Sequence, residues 1–291
     1  MSSAGRAATE RQMFPAEHVE SGTVRFVYFD LGNILVSFDR NRVCVAVADL
    51  FGGSTSRADE VLHRGGLQED LEWGRIDELE FSRRLHDRFL IDQTATRPDV
   101  PLEKIRRAIS DMFAPIEAMA GVVRQVRELG LPIGILSNTC QAHWDWVLAQ
   151  QWDVTAGPFD VAVLSYQSKS MKPDATIYQH AEQHARRIAG ATPEQILFVD
   201  DRPENVEAAR RRGWISEVCL GTDQVVEAFQ RHGLSIDPID NPAADPVGNP
   251  AGEPVNCKAD PIPGNRSDEP NADDTDKVNT DRVDAAERNV R

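Results

Sequence analysis

The sequence predicts an α/β fold, a doubly wound, Rossmann-like parallel sheet carrying a small inserted α-helical cap. Five short apolar runs bounded by turn residues alternate with helical patterns. Alternation of that kind builds a parallel sheet covered by helices on both faces. One interval of about 80 residues breaks the rhythm with helical periodicity alone, which reads as an insertion.

The strand-like runs are VRFVYFD at 24–30, LPIGILSN at 131–138, FDVAVLS at 159–165, QILFVDD at 195–201 and ISEVCL at 215–220. Between them Met119, Val122, Val123, Val126 and Leu129 recur every three or four positions until Gly130 stops the helix. Ile177, Ala181, Ala185 and Ile188 repeat the pattern, and Pro203 with Val206, Ala209 and Gly213 marks a shorter helix. In the insertion Val43, Ala46, Val47, Leu50 and Phe51 form one apolar stripe ended by Gly52. Asp77 and Glu80 suggest a capping box opening a helix with Phe81, Leu85 and Phe89 on one face. Leu102, Ile105, Ile109, Met112 and Phe113 form the last stripe. These readings divide the chain into a disordered N-terminus (1–22), an α/β core (23–37 and 118–235), a helical cap (38–117) and a disordered acidic tail (236–291) rich in Asp, Asn and Pro.

At 291 residues and 41% hydrophobic content the chain can bury one sizeable core or two smaller ones. A net charge of -15 without a Lys/Arg cluster argues against a nucleic-acid partner. No apolar run is long enough to span a membrane, and the first residues lack the apolar segment of a secretory signal. A soluble, cytoplasmic protein is expected; the oligomeric state stays open. Cys44, Cys140, Cys219 and Cys257 are scattered without CxxC pairing, so they read as reduced thiols rather than a zinc site.

Ligands of doubly wound sheets collect at the carboxyl ends of the strands. Four polar groups end apolar runs or adjoin them: Asp30, Ser137-Asn138-Thr139, Lys172 and Asp200-Asp201. Asp30 precedes Leu31-Gly32-Asn33, where a glycine allows a sharp turn; a carboxylate there can attack phosphorus or simply cap a loop. Ser137 and Asn138 offer a hydroxyl, an amide and backbone N–H groups to a phosphoryl oxygen. Lys172, just before an expected helix start at Pro173, can neutralise phosphoryl charge, although most lysines are surface residues. Adjacent acids at a buried sheet edge repel unless a cation or a basic group stabilises them, and Mg²⁺ suits hard oxygen ligands. The bland alternative makes Asp201 the N-cap of the helix beginning at Pro203.

Together the four segments resemble those of the haloacid dehalogenase-like (HAD) hydrolase superfamily: FDLGNILV, LSNT, MKPDATIYQ and FVDDRPENV match its first to fourth motifs, with a helical insert where many members carry a small cap. The FDLGN variant, the SNT triplet and the KP-x-x-x-IYQ stretch are most similar to bacterial sugar-phosphate phosphatases of the α-D-glucose-1-phosphate phosphatase kind. The resemblance implies a Mg²⁺-dependent phosphatase acting on a small phosphorylated substrate. Asp30 would form an aspartyl-phosphate, and Mg²⁺ would be held by Asp30, the Gly32 carbonyl and Asp200 with Asp201, of which Asp201 is favoured as direct ligand. Ser137 and Asn138 would bind the phosphoryl group and Lys172 would bridge it to Asp30.

One position departs from the pattern. Most phosphatases of the superfamily carry a second aspartate two residues after the nucleophile as general acid and base, and here that residue is Gly32. A replacement has to come from elsewhere; His63, Glu72 and His86 of the insertion are candidates, each with an ordinary packing or surface role as the alternative. Trp73-Gly74 is a candidate loop reaching down from the cap, or merely a packed aromatic beside a turn; Trp144 and Trp146 read as packing residues. A metal-free 2-haloacid dehalogenase also tolerates a missing acid, but leaves Asp200 and Asp201 uncompensated beside Asp30. A protein that binds phosphorylated ligands without turnover is the other alternative.

Overall fold

The computed structural model describes residues 23–89, 100–157 and 159–239. Its elements are β1 (Phe26–Phe29), β2 (Val36–Phe38), α1 (Arg40–Phe51), α2 (Thr55–Asp59), a π-helical turn (Glu60–Arg64), α3 (Leu67–Glu72), α4 (Glu78–Phe89), α5 (Leu102–Ser110), β3 (Phe113–Pro115) and α6 (Glu117–Glu128). After them come β4 (Ile133–Ser137), α7 (Gln141–Ala149), α8 (Asp153–Ala156), β5 (Val161–Leu164), α9 (Ser165–Ser168), α10 (Ala175–Ala189), β6 (Ile196–Asp200), α11 (Pro203–Arg211), β7 (Ile215–Val218) and α12 (Thr222–Arg231). No helix among the described residues is long and apolar enough to cross a membrane.

All five apolar runs form strands of one parallel sheet in the order β5-β4-β1-β6-β7. β1 lies at its centre, with Val27 opposite both Ile133 and Leu197. Strand order reverses around β1, so its carboxyl end is the switch point where an open α/β sheet forms a ligand crevice. Alternate side chains of β1 serve opposite faces, as strand geometry requires. Val27 and Phe29 pack with Met119, Val122 and Val126 of α6 and Phe229 of α12. Phe26 and Tyr28 pack with Ile177 and Ala181 of α10, Ala209 of α11 and Trp214. Burying β1 fully from both sides explains why it reads as a continuous apolar run.

The helices between α1 and α5 close on a separate cluster containing Val47, Leu62, Leu67, Phe81, Leu85 and Ile105. The expected absence of strands from this interval is incorrect. β2 and β3 form an antiparallel ribbon at the two ends of the helical interval, with Phe38 opposite Phe113. Phe113 therefore belongs to a strand, because α5 ends at Ser110 and the Met112 amide bonds back to the Ser110 carbonyl. Three-residue strands carry too little periodicity to be read from sequence.

Other boundaries also move. The Asp77 carboxylate accepts from the Glu80 amide at 2.8 Å, but Glu80 binds Arg83 and Arg84 rather than returning the bond. The helix after Lys172 begins at Ala175, with Asp174 as its N-cap, two residues later than expected. The core does not end at Ser235: Ile236 is 2% exposed, Ile239 packs on the apolar core, and Asp237 exchanges two backbone bonds with the Gln125 side chain. The remainder of the expected tail and residues 1–22 lie outside the described residues, as does Cys257. Cys44, Cys140 and Cys219 are buried.

Candidate active site

The carboxyl ends of β1, β4 and β6 bring all four sequence-predicted segments together. Lys172 is only 4% exposed, which removes the surface-lysine alternative. Its Nζ lies 2.7 Å from Asp30 Oδ1 and 2.6 Å from Asp200 Oδ2. Asp30 Oδ1 also accepts from the Leu31 amide at 2.7 Å. Asp200 is fully buried and saturated: the Arg202 amide bonds Oδ1 at 2.8 Å, and the Asn205 amide lies 3.0 and 3.1 Å from its two oxygens. Asp201 is more open and, among the described residues, accepts one bond, from Asn33 Nδ2 at 2.8 Å. It does not cap α11, whose N-cap is Arg202 without a side-chain bond.

Electrostatics follow from this crowding. Burial pushes the Asp30 carboxyl up, to about 8; Lys172 pulls it down, and Asp200 and Asp201 push it further up. Burial alone would lower the Lys172 ammonium, but Asp200 and Asp30 outweigh it and hold it above its ordinary value. Asp201 is raised, first by burial. Carboxylate oxygens of Asp30, Asp200 and Asp201 lie within 4.8 Å of one another. With all three carboxylates ionised, the one ammonium leaves two negative charges uncompensated, the charge of a single divalent cation. The donors are all hard oxygens, so the cluster fits Mg²⁺ better than a thiophilic metal.

The loop after Asp30 is built differently from the expectation. Its left-handed residue is Asn33, at φ 55°, a conformation asparagine tolerates, and this aims the Asn33 amide at Asp201. Gly32 instead lies against an aromatic ring: a Cβ there would sit 3.0 Å from Phe38 Cε1. Gly32 bridges to Val36 through the Leu31 carbonyl and the Asn33 N–H, so its own carbonyl accepts no backbone bond among the described residues.

Asn138 is also re-assigned in part. Its carbonyl accepts from the Lys172 amide at 2.7 Å and its amide donates to the Lys172 carbonyl at 2.9 Å. That side chain holds the lysine backbone in place rather than pointing only at a ligand. Ser137 is 2% exposed and Thr139 is tied to Ser165, whose hydroxyl accepts from the Thr139 amide at 2.8 Å.

Beside the cluster lies a cavity of about 100 Å³, walled by Leu31 and Gly32 after Asp30, by Ser137, Asn138 and Thr139, and by Phe38, Arg40, His63, Gln68, Glu72 and His143. His63 and Glu72 of the candidates from the insertion therefore reach it. His86 is not on its wall and packs edge-on against Phe51. Trp73-Gly74 does reach down: the indole donates to the Lys169 carbonyl at 3.2 Å, and Lys169 Nζ donates to the Gly74 carbonyl at 2.7 Å. Trp144 and Trp146 pack on the core. Asn33, Asn205, Gln68 and His143 were not singled out from sequence. Asn205 had a faint signal, a polar residue in the first turn after the acidic pair, whereas His143 and Gln68 had none.

A sequence model described as hydrolase, haloacid dehalogenase-like hydrolase matches residues 27–213. A D-ribitol-5-phosphate phosphatase of Bacteroides thetaiotaomicron is 24% identical over 204 residues, spanning 66% of this chain and 89% of the relative. HAD family enzyme BT-2542 of the same organism superposes with a TM-score of 0.58 at 20% identity, covering 71% of this chain and 98% of that one. It has also been solved in complex with magnesium and inorganic phosphate, a structure that superposes with a TM-score of 0.53 at 22% identity over 67% of this chain and 93% of that one. A predicted HAD-like family hydrolase of Porphyromonas gingivalis gives a TM-score of 0.57 at 24% identity, covering 72% and 97%. At such identities the structural likenesses speak to the fold.

Proposed function

Because the chain belongs to the haloacid dehalogenase-like hydrolase family, we propose that it is a Mg²⁺-dependent phosphatase that hydrolyses a small phosphate monoester, a sugar phosphate, through an aspartyl-phosphate on Asp30. The observation that carries this reading is the buried Asp30–Lys172–Asp200 ion triad with Asp201 beside it, short by the charge of one divalent cation. The phosphate-releasing name of the D-ribitol-5-phosphate phosphatase and the magnesium and phosphate complex of BT-2542 support the same chemistry.

Asp30, Asp201, Asp200 and the Gly32 carbonyl would hold the cation. When bound, it supplies Lewis-acid charge stabilisation at the phosphoryl oxygens and keeps the surrounding carboxylates ionised. Asp201 suits direct ligation because among the described residues only one of its oxygens is engaged, whereas Asp200 is committed to Lys172, Arg202 and Asn205. Lys172 pins Asp30 Oδ1, and Oδ2, which takes no bond among the described residues, is the oxygen left to attack phosphorus. The Asp30–P bond forms as the ester P–O bond breaks; water then attacks the same phosphorus and releases the Asp30 carboxylate and inorganic phosphate. Ser137, with the backbone N–H of Asn138, lines the wall where the phosphoryl oxygens would rest.

Phosphate release from a panel of sugar phosphates, with and without Mg²⁺ and with Asp30→Asn as control, tests the reading. Release that requires Mg²⁺ and vanishes in Asp30→Asn is expected. Release without the metal, or surviving the substitution, contradicts it. Halide release from a 2-haloacid would favour the dehalogenase, and a phosphate-induced rise in melting temperature without turnover would favour a binding protein.

A further inference from the structure

The phosphatase reading leaves a proton unassigned. A sugar alkoxide is a poor leaving group unless protonated as it departs, and position 32 holds a glycine whose added Cβ would meet the Phe38 ring at 3.0 Å. Among the described residues lining the cavity beside Asp30, the ionisable side chains are Arg40, His63, Glu72 and His143. Arg40 carries no transferable proton at ordinary pH. Burial pushes His143 down to about 4 and likewise lowers His63, which makes each a poorer proton carrier near neutral pH than an ordinary histidine.

Glu72 is placed differently. It is the last residue of α3, on the turn that the insertion lowers onto the core. Ser165 Oγ donates to its carbonyl at 2.6 Å and accepts from the Thr139 amide at 2.8 Å, so one serine ties Glu72 to the loop that carries Ser137 and Asn138. The Trp73 and Gly74 bonds to Lys169 pin the next two residues. Its carboxylate is oriented by Gln68 Nε2, 3.0 Å from Oε1; that amide also lies 3.3 Å from His143 Nε2. Glu72 Oε2 takes no hydrogen bond among the described residues. Gly32 and Glu72 are on the wall of one cavity.

From this geometry we infer that Glu72 is the general acid and base of the reaction, standing in for the carboxylate that position 32 lacks. The inference rests on the phosphatase reading. In the first step the Glu72 carboxyl gives its proton to the departing ester oxygen as Asp30 bonds to phosphorus. In the second, the Glu72 carboxylate takes a proton from water as the water oxygen bonds to phosphorus and the Asp30–P bond breaks. Glu72 thus returns to its acid form. Burial raises its carboxyl to about 7, against the Gln68 bond and the Arg40 charge, which lower it; Glu69 raises it and Arg202 lowers it. His143 Nδ1 lies 3.9 Å from Oε1. A group in that range supplies both forms near neutral pH.

The test compares an alkyl sugar phosphate with p-nitrophenyl phosphate, whose phenolate leaves without a proton. Glu72→Gln should lose ~10²–10⁴ in turnover on the sugar phosphate. On p-nitrophenyl phosphate it should release one nitrophenolate per enzyme in a burst and then stall, because the aspartyl-phosphate lacks its base. Formate added to Glu72→Ala should restore part of the turnover. Equal losses on both esters with no burst, unchanged turnover, or a loss that follows His63→Gln instead would overturn the assignment. If Glu72→Gln does not fold, judged by its melting temperature, Glu72→Asp carries the test: its shorter reach should cost more turnover on the sugar phosphate than on p-nitrophenyl phosphate, and equal losses on both esters would overturn the proposal. A wild-type protein that cleaves neither ester refutes the phosphatase reading itself, whereas an active wild type with an unaffected Glu72→Gln refutes only the role of Glu72.

Discussion

Lys172 is the residue on which the site turns, since among the described residues it alone forms ion pairs with Asp30 and Asp200, in a region that water barely reaches. Lys172→Met should reduce phosphate release by about 10²–10³, the loss typical of removing one fixed electrostatic partner. It should also destabilise the fold by roughly 3 kcal/mol, because a buried carboxylate loses its counter-charge; a denaturant titration reads this directly. His143 gives a prediction in pH. Its folded value is depressed to about 4 from the ordinary 6.5, so between those values the unfolded chain binds a proton that the folded chain does not. Stability is therefore fully present above pH 6.5 and falls as the pH drops towards 4, by at most about 3 kcal/mol. Melting temperatures from pH 7 to 4 should fall less steeply in His143→Gln than in the wild type. Asp30 and the acidic pair were legible in the sequence because each ends an apolar strand, and Lys172 because it stands just before an expected helix start. The partners that set their states, Asn33, Asn205 and Asn138 toward the lysine backbone, were not, because a side-chain amide gives no periodic signal and its target is distant in sequence.

At the scale of elements, the β2–β3 ribbon and the α3 turn determine what the cavity can hold. Phe38 of β2 lies beside Gly32, so its ring has to give by a few tenths of an ångström before a side chain can stand there. Gly32→Asp alone should lower the melting temperature and leave turnover unchanged or reduced, and Phe38→Ala in the same chain should relieve the loss of stability. A rise in turnover from the single substitution would show that the ring yields. Ser165 of α9 links Glu72 to Thr139, so Ser165→Ala should loosen the turn that carries Glu72. Turnover on sugar phosphates is expected to fall about tenfold, one net hydrogen bond's worth, while a change in melting temperature without a change in turnover would deny the coupling. The five strands were legible from their apolar runs, and the helical insertion from its period. The ribbon was not, because three residues per strand carry no pattern, and Phe113 continued a helical stripe that ends at Ser110.

For the molecule as a whole, the sheet places Asp30 at the reversal of strand order while the insertion supplies the other wall of the cavity. This division was legible from sequence, because one apolar cluster follows strand alternation and the other a helical period. The end of the core was not: Ile236 and Ile239 sit in an acidic, proline-containing stretch whose composition hides two anchoring side chains. A chain ending at Ser235 should melt several degrees below one ending at Ile239, since burial of an isoleucine contributes about 1.5–3 kcal/mol; equal melting temperatures would remove these residues from the core. The covalent role of Asp30 is the central claim, and rapid acid quench during turnover of p-nitrophenyl phosphate with Mg²⁺, followed by mass spectrometry of the peptide containing Asp30, tests it most directly. The account predicts a peptide heavier by one phosphoryl group, sensitive to hydroxylamine and missing from Asp30→Asn. An enzyme that turns over with its Asp30 peptide unmodified at every quench time, in the wild type and in Glu72→Gln alike, would contradict it.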